Sequence, residues 1–178
     1  MELRTERLLL RPFTPGDLTA LHTWHSDPEV VRYLFWDVLD HDGARDLLER
    51  RLGRVTVPEA DGESIHFAVQ YGTEVIGDVH LELLSAEQRC AEIGYVFGGA
   101  HAGQGFAGEA ARELLRFGFA DLALHRIVAK CAAEHLASQA VLRKIGMRQE
   151  ACFVEALRVK GAWVSEQEWA ILEHEWRG

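Results

Sequence analysis

Apolar residues crowd into the opening stretch "ELRTERLLLRPF" (2–13), which predicts a first strand stopped by Pro12 and Pro15. Beyond it the spacing lengthens to that of a helix. Leu18, Leu21 and Trp24 share one face of a helix expected from Pro15 to about His25, with Thr14 as N-cap. Asp27-Pro28 signals a short second helix through Val30, Val31 and Leu34. After the loop "FWDVLDHD", Leu47, Leu48 and Leu52 mark a third helix over 42–54.

From residue 64 the period becomes two. "SIHFAVQY" (64–71) and "EVIGDVHLELL" (74–84) are separated by Gly72-Thr73, a two-residue hairpin signal, and "RCAEIGYVFG" (89–98) continues the meander. A glycine-rich segment, 99–108, leads into a helix over about 108–122 with Ala111, Leu114, Leu115, Gly118 and Leu122 on one side. "RIVAKCAA" (126–133) reads as a buried strand, and "ASQAVLRKIG" (137–146) as a helix ended by Gly146. Two last strands flank a turn at Lys160-Gly161. The order predicts an α+β (mixed α/β) fold with a mostly antiparallel sheet, and β-α-β character only at its centre. No repeat, low-complexity tract or long linker interrupts it, so one domain over 1–178 is expected.

Composition narrows the function classes. With 178 residues, 48% of them hydrophobic and 26% charged, the chain is long enough to bury a proper core. Its net charge of −9 argues against a nucleic-acid surface, yet an acidic cleft would attract a cationic substrate. Cys90, Cys131 and Cys152 are few and widely spaced, with no C-x-x-C, which predicts neither a disulfide framework nor a cysteine zinc site. His22 and His25 on a helix, and His66 and His80 on strands, are pairs without a third nearby ligand, so no metal is predicted. The first residues carry no signal-peptide core and no apolar run reaches membrane-span length, so a reduced cytoplasmic setting with no membrane partner is expected.

Gly103, Gly105 and Gly108 stand in the spacing G-x-G-x-x-G, between a strand and a helix. One reading is a dinucleotide fingerprint, with Glu134 as the ribose-binding acid. The preceding strand ends about four residues too early for that motif. The hairpin meander upstream does not open a doubly wound sheet either. The other reading keeps only the physics: free amides at a helix start, approached through residues lacking Cβ, form a pyrophosphate site. A plain flexible connection is the bland alternative.

Several segments together resemble a known family. "AEIGYVF", "HAGQGFAGEAARELLRFGF" and "LHRIVAKCAAEHLASQAVLRKIGM" resemble the GNAT N-acetyltransferases, in particular the branch that acetylates ribosomal-protein N-termini. "TERLLLRPFTPGDL", "DPEVVRYL" and "ALRVKGAWVSEQEWAIL" are similar to that same branch. The resemblance implies a GNAT fold whose fourth and fifth strands, 92–98 and 126–133, splay apart to take acetyl-CoA. It further implies that the amides of Gly103, Gln104, Gly105, Ala107 and Gly108 hold the pyrophosphate. Ala102 stands where the family pattern has Gln or Arg. Val96, Phe97 and Gly98 would hold the pantetheine arm, with the Val96 amide near the thioester oxygen.

For the chemistry, the resemblance implies direct attack of an amine in a ternary complex, and no Ser-His-Asp or Cys-His set suggests an acyl-enzyme. Glu92 is the first candidate for general base, its other role being to pair across the sheet; Glu82 and Glu155 are weaker candidates. Tyr95 alternates with Glu92 and is expected to pack. Ser138, the serine of a family pattern E-N-x-x-S here written "EHLAS", is the candidate acid for the leaving thiolate, its other role a helix N-cap. His135 replaces the pattern's asparagine and is expected to contact pantetheine. Tyr33, Phe35 and Trp36, before an acidic loop with Asp37, Asp40 and Asp42, are the expected acceptor residues, local packing being the alternative. The expected function is acetyl transfer from acetyl-CoA to a primary amine, either a protein N-terminus or a small molecule such as an antibiotic or polyamine. A non-catalytic acyl-CoA sensor is the reading from another class. A homodimer is implied by family habit.

Overall fold

One eight-stranded sheet organises the computed structural model, which describes residues 1–178. Its strands are β1 (Leu3–Arg4), β2 (Leu8–Arg11), β3 (Ser64–Tyr71), β4 (Glu74–Ser85), β5 (Cys90–Phe97), β6 (Arg126–Ala132), β7 (Arg148–Val159) and β8 (Ala162–Leu172). They lie in the order β1-β2-β3-β4-β5-β6-β8-β7. Every pairing is antiparallel except β5 with β6, which the helix between them joins by a crossover. Five α-helices cover the two faces: α1 (Leu18–His25), α2 (Pro28–Val31), α3 (His41–Leu52), α4 (Phe106–Arg116) and α5 (Leu136–Lys144).

Alternation along the strands divides the sheet into two unlike faces. Ile65, Phe67, Leu81, Ala91, Ile93 and Ile127 point to the face under α4 and α5 and join a core of 27 buried residues with Leu114, Leu115 and Leu142. The opposite face, under α1 and α3, has a small apolar cluster of Phe13, Leu21, Ala44, Leu48 and Ala68. Beside that cluster it is polar. Arg51 and Asp78 form a buried ion pair 2.6 Å apart, and His25 is fully buried against them.

The structure departs from the sequence expectation chiefly in two places, beside α2 and α3 ending early, at Val31 and Leu52. The predicted first strand is two strands, because Thr5 turns the chain: its amide donates to Leu8 O at 3.0 Å and its Oγ1 accepts from the Leu8 amide at 2.9 Å. The helix expected over 108–122 starts at Phe106 and passes after Arg116 into a wide π turn, Phe117–Asp121. There Gly118 lets the chain touch the sheet, since a Cβ on it would lie 2.6 Å from Ile127 Cδ1. The hairpins, the short helix capped by Asp27 and the final turn at Lys160-Gly161 form as the turn chemistry predicts.

Candidate active site

The pairing of β5 with β6 consists of Cys90–Arg126, Ala91–Ile127 and Glu92–Val128, and there it stops. Beyond Glu92 the two strands part while each keeps its outer neighbour, so backbone groups on both inner edges lack strand partners. The Gly98 amide is committed elsewhere, donating to Ile76 O at 3.0 Å. Strand alternation then turns Val96 toward β4 as well, and sets the amides of Tyr95 and Phe97 toward the gap. Of the three pantetheine contacts expected from sequence, Phe97 keeps a free inward amide, whereas those of Val96 and Gly98 face the other way. The spacing alone does not reveal strand polarity, and so it does not say which alternate amides are free.

At the end of β5 the chain rounds a turn and enters α4. Gly103 and Gly105 take left-handed backbone, φ 78° and 84°, and Gly105 is the N-cap of α4. None of the amides from Gly103 to Gly108 donates to an acceptor in the protein; the first that does so is Glu109, to Gly105 O at 3.0 Å. A row of unfilled amides at a helix start is an anion site. Three cations missed in the sequence stand beside it, in a cleft that also holds Glu6, Glu109 and Glu113. Arg7 donates to Gln104 O at 3.2 Å and to Glu109 Oε2 at 2.7 Å, and its guanidinium lies 4.4 Å from the Phe106 ring centroid. Arg112 and Lys144 line the same cleft as Gly105 and Gly108. Only the fold brings residue 7 to residue 104, so no local spacing marks it.

On the α4–α5 side of the gap stands Ser138, the third residue of α5, buried; the N-cap is His135. Its Oγ lies 2.8 Å from the Tyr95 hydroxyl. Burial pushes Tyr95 up to about 12, against the Ser138 hydrogen bond, so the phenol stays protonated. Tyr95 therefore does more than pack: its O–H can donate to Ser138 Oγ and leave the serine proton free for a third partner. His135 stacks on Tyr33, ring centroids 4.3 Å apart, and burial lowers its pKa. That stack ties the end of α2 to the start of α5.

On the α1–α3 side Glu92 is paired across the sheet with Lys130, Nζ to Oε2 3.0 Å. Against burial, Glu92, Glu166 and Glu168 hold the Lys130 ammonium above its usual range. Glu166 is pushed up by burial, with Glu92 and Glu168 adding to it and Lys130 opposing. Of the two roles open to Glu92 from sequence, pairing is the one the geometry displays. Glu82 faces Glu92 across β4–β5, while Glu155 is exposed on a β7 bulge, its amide donating to Ser165 Oγ at 3.0 Å.

The aromatic trio does not form one cluster. Tyr33 meets His135, Trp36 Nε1 donates to His25 Nδ1 at 3.2 Å, and Phe35 is 65% exposed. The acidic loop is largely used locally: Asp40 caps α3 through the Gly43 amide and Asp42 pairs with Arg45. From the far side the β7–β8 turn reaches over, with Lys160 Nζ donating to Val31 O at 2.7 Å.

The chain as a whole is similar to known proteins. Residues 7–148 match the model of the acetyltransferase (GNAT) domain. An uncharacterized N-acetyltransferase of Bacillus subtilis, YnaD, is 32% identical over 176 residues, 99% of each chain. A GNAT-family acetyltransferase structure from Bacillus anthracis is 32% identical and superposes with TM-score 0.87, covering 98% of this chain and 99% of that one. The structure of RimL, a ribosomal L7/L12 α-N-protein acetyltransferase in complex with coenzyme A, is similar in fold, with TM-score 0.84 at 20% identity over 97% and 98% of the two chains.

Proposed function

The chain belongs to the GNAT family of acetyl-CoA-dependent N-acetyltransferases, and from that premise we propose that its acceptor is the α-amine of a protein N-terminus. The amine attacks the thioester directly in a ternary complex, so the protein's main work is positioning. Gly103, Gln104, Gly105, Ala107 and Gly108 hold the pyrophosphate with backbone amides, helped by Arg7, Arg112 and Lys144. Tyr95 and Phe97 present amides to the pantetheine arm and the thioester oxygen. Ser138, backed by Tyr95, protonates the departing thiolate.

The observation that carries an amine acceptor is the carboxylate cluster beside the gap, where Glu92 pairs with Lys130 and Glu166 and Glu168 lie close to it, Glu168 also facing Arg126 at 3.6 Å. An incoming ammonium, from either kind of amine, is favoured there before it loses its proton. The segments that resemble the ribosomal-protein branch, and 30% identity over 119 residues to a putative ribosomal N-acetyltransferase of Bacillus subtilis, YdaF, favour a protein terminus. A small-molecule amine is the second reading, supported by the same carboxylates. We take the molecule to work as a single domain in the cytoplasm, as a homodimer.

The test is release of coenzyme A thiol from acetyl-CoA with peptides bearing free or blocked N-termini, and with polyamines. Turnover of free-terminus peptides alone is expected. Turnover confined to polyamines or other small amines would overturn the protein-terminus reading.

A further inference from the structure

We propose that His80 takes the proton from the attacking amine, so that the transfer runs on a histidine base. The proposal rests on the acceptor entering from the α1–α3 side, and not on which amine it is.

The position of His80 follows from a conjunction across three strands. His66, His80 and Gly94 stand opposite one another on β3, β4 and β5. The two imidazoles stack, with centroids 4.9 Å apart and planes 16° apart. The His80 ring then continues over β5: a Cβ on Gly94 would lie 2.3 Å from its Cε1 and 2.8 Å from its Nε2. Gly94 does not adopt a left-handed backbone, so the strand itself does not require glycine there. What requires it is the imidazole. Gly94 is also the first residue on this face beyond the last β5–β6 pair, Glu92–Val128. The ring therefore lies at the mouth of the gap in which the thioester is to be held.

His80 is half-buried, and neither of its nitrogens is hydrogen-bonded within the protein, whereas His66 Nε2 has Ser64 Oγ at 3.4 Å. Burial lowers His80 to about 4; Asp78 on its own strand opposes this, while Arg51 of α3 and Arg54 just beyond add to it. From the other elements the titratable neighbours are His66 on β3, Glu92 on β5, and His25 of α1 against the Arg51–Asp78 pair. The ring is thus neutral at physiological pH, with a lone pair to offer. Glu92, by contrast, is engaged by the Lys130 ammonium, Nζ to Oε2 3.0 Å.

The step balances without another reactant. The neutral amine nitrogen bonds to the thioester carbon, and its proton passes to the imidazole. The C–S bond breaks with its electron pair on sulfur, which takes the Ser138 proton. Solvent then returns a proton to Ser138 and accepts one from the imidazolium. A weak base suffices, because the nitrogen it deprotonates already carries positive charge in the tetrahedral intermediate.

His80→Gln and His80→Ala should keep the rise in Tm produced by coenzyme A, showing the cofactor site intact. With whichever amine the wild type turns over, kcat of His80→Gln should fall about 10²–10⁴-fold. That deficit should change with pH, and added imidazole should restore rate to His80→Ala. A His80→Gln enzyme with wild-type kcat and pH profile would overturn the proposal. So would an equal loss at every pH with no imidazole rescue, which marks a packing residue. Because the ratio is taken on any amine used, failure of the peptides alone bears on the acceptor reading and leaves His80 to be judged by its own result.

Discussion

Tyr95 shows how much a single residue's meaning depends on its neighbour across the fold. Alternation along β5 puts its side chain on the core face, which by itself spells packing. The partner is Ser138, 43 residues further along the chain, and the 2.8 Å contact makes the two hydroxyls a pair. Tyr95→Phe should leave Ser138 Oγ without this partner and destabilise the fold by about 1 kcal/mol. It should also lower kcat more than it changes KM, because the loss falls on departure of the thiolate. Steady-state kinetics beside a denaturant titration check both. An unchanged kcat would reduce the pair to a structural contact.

Among the elements, the start of α4 is where backbone conformation and the proposed cofactor site coincide. Gly105, at φ 84°, caps the helix, while a Cβ on Gly108 would meet open space and no backbone constraint. The two glycines should respond in opposite directions. Gly105→Ala should cost about 1–2 kcal/mol of stability from left-handed strain. Gly108→Ala should stabilise the free protein by up to about 1 kcal/mol through helix propensity. Both should weaken coenzyme A binding in a calorimetric titration, the first by re-aiming amides and the second by placing a methyl beside them. Full affinity in both variants would move the pyrophosphate away from this turn.

The molecule as a whole carries its polar burden on one sheet face, and this sets its response to acid. Burial lowers His25 to about 4, His80 to about 4 and His66 to about 2, all from an ordinary 6.5. The unfolded chain takes up these protons near its ordinary pKa and the folded chain does not. Stability is therefore full above about pH 6.5 and falls as pH drops toward about 4, where His25 and His80 charge in the native state. Chemical denaturation across that range should show the decline. His25→Gln, which still offers Trp36 an acceptor and does not titrate there, should flatten part of it.

The sequence by itself determined the order of elements, because periodicity, caps and turn residues act between near neighbours. Asp27-Pro28, the Gly72-Thr73 hairpin and the Lys160-Gly161 turn are examples. The family resemblance pointed to the glycine turn as the place for a phosphate, and Gly103 and Gly105 are local requirements of that turn. Tertiary structure alone decided what depends on long-range register. It settled which β5 amides face the gap, that Glu92 meets Lys130, that Arg7 braces Gln104, and that Tyr95 meets Ser138. It also laid His80 across Gly94. Strand pairing brings distant residues within hydrogen-bonding reach, and a shift of one residue would turn each side chain to the opposite face. The composition of the chain is silent on that choice, and the site is made by it.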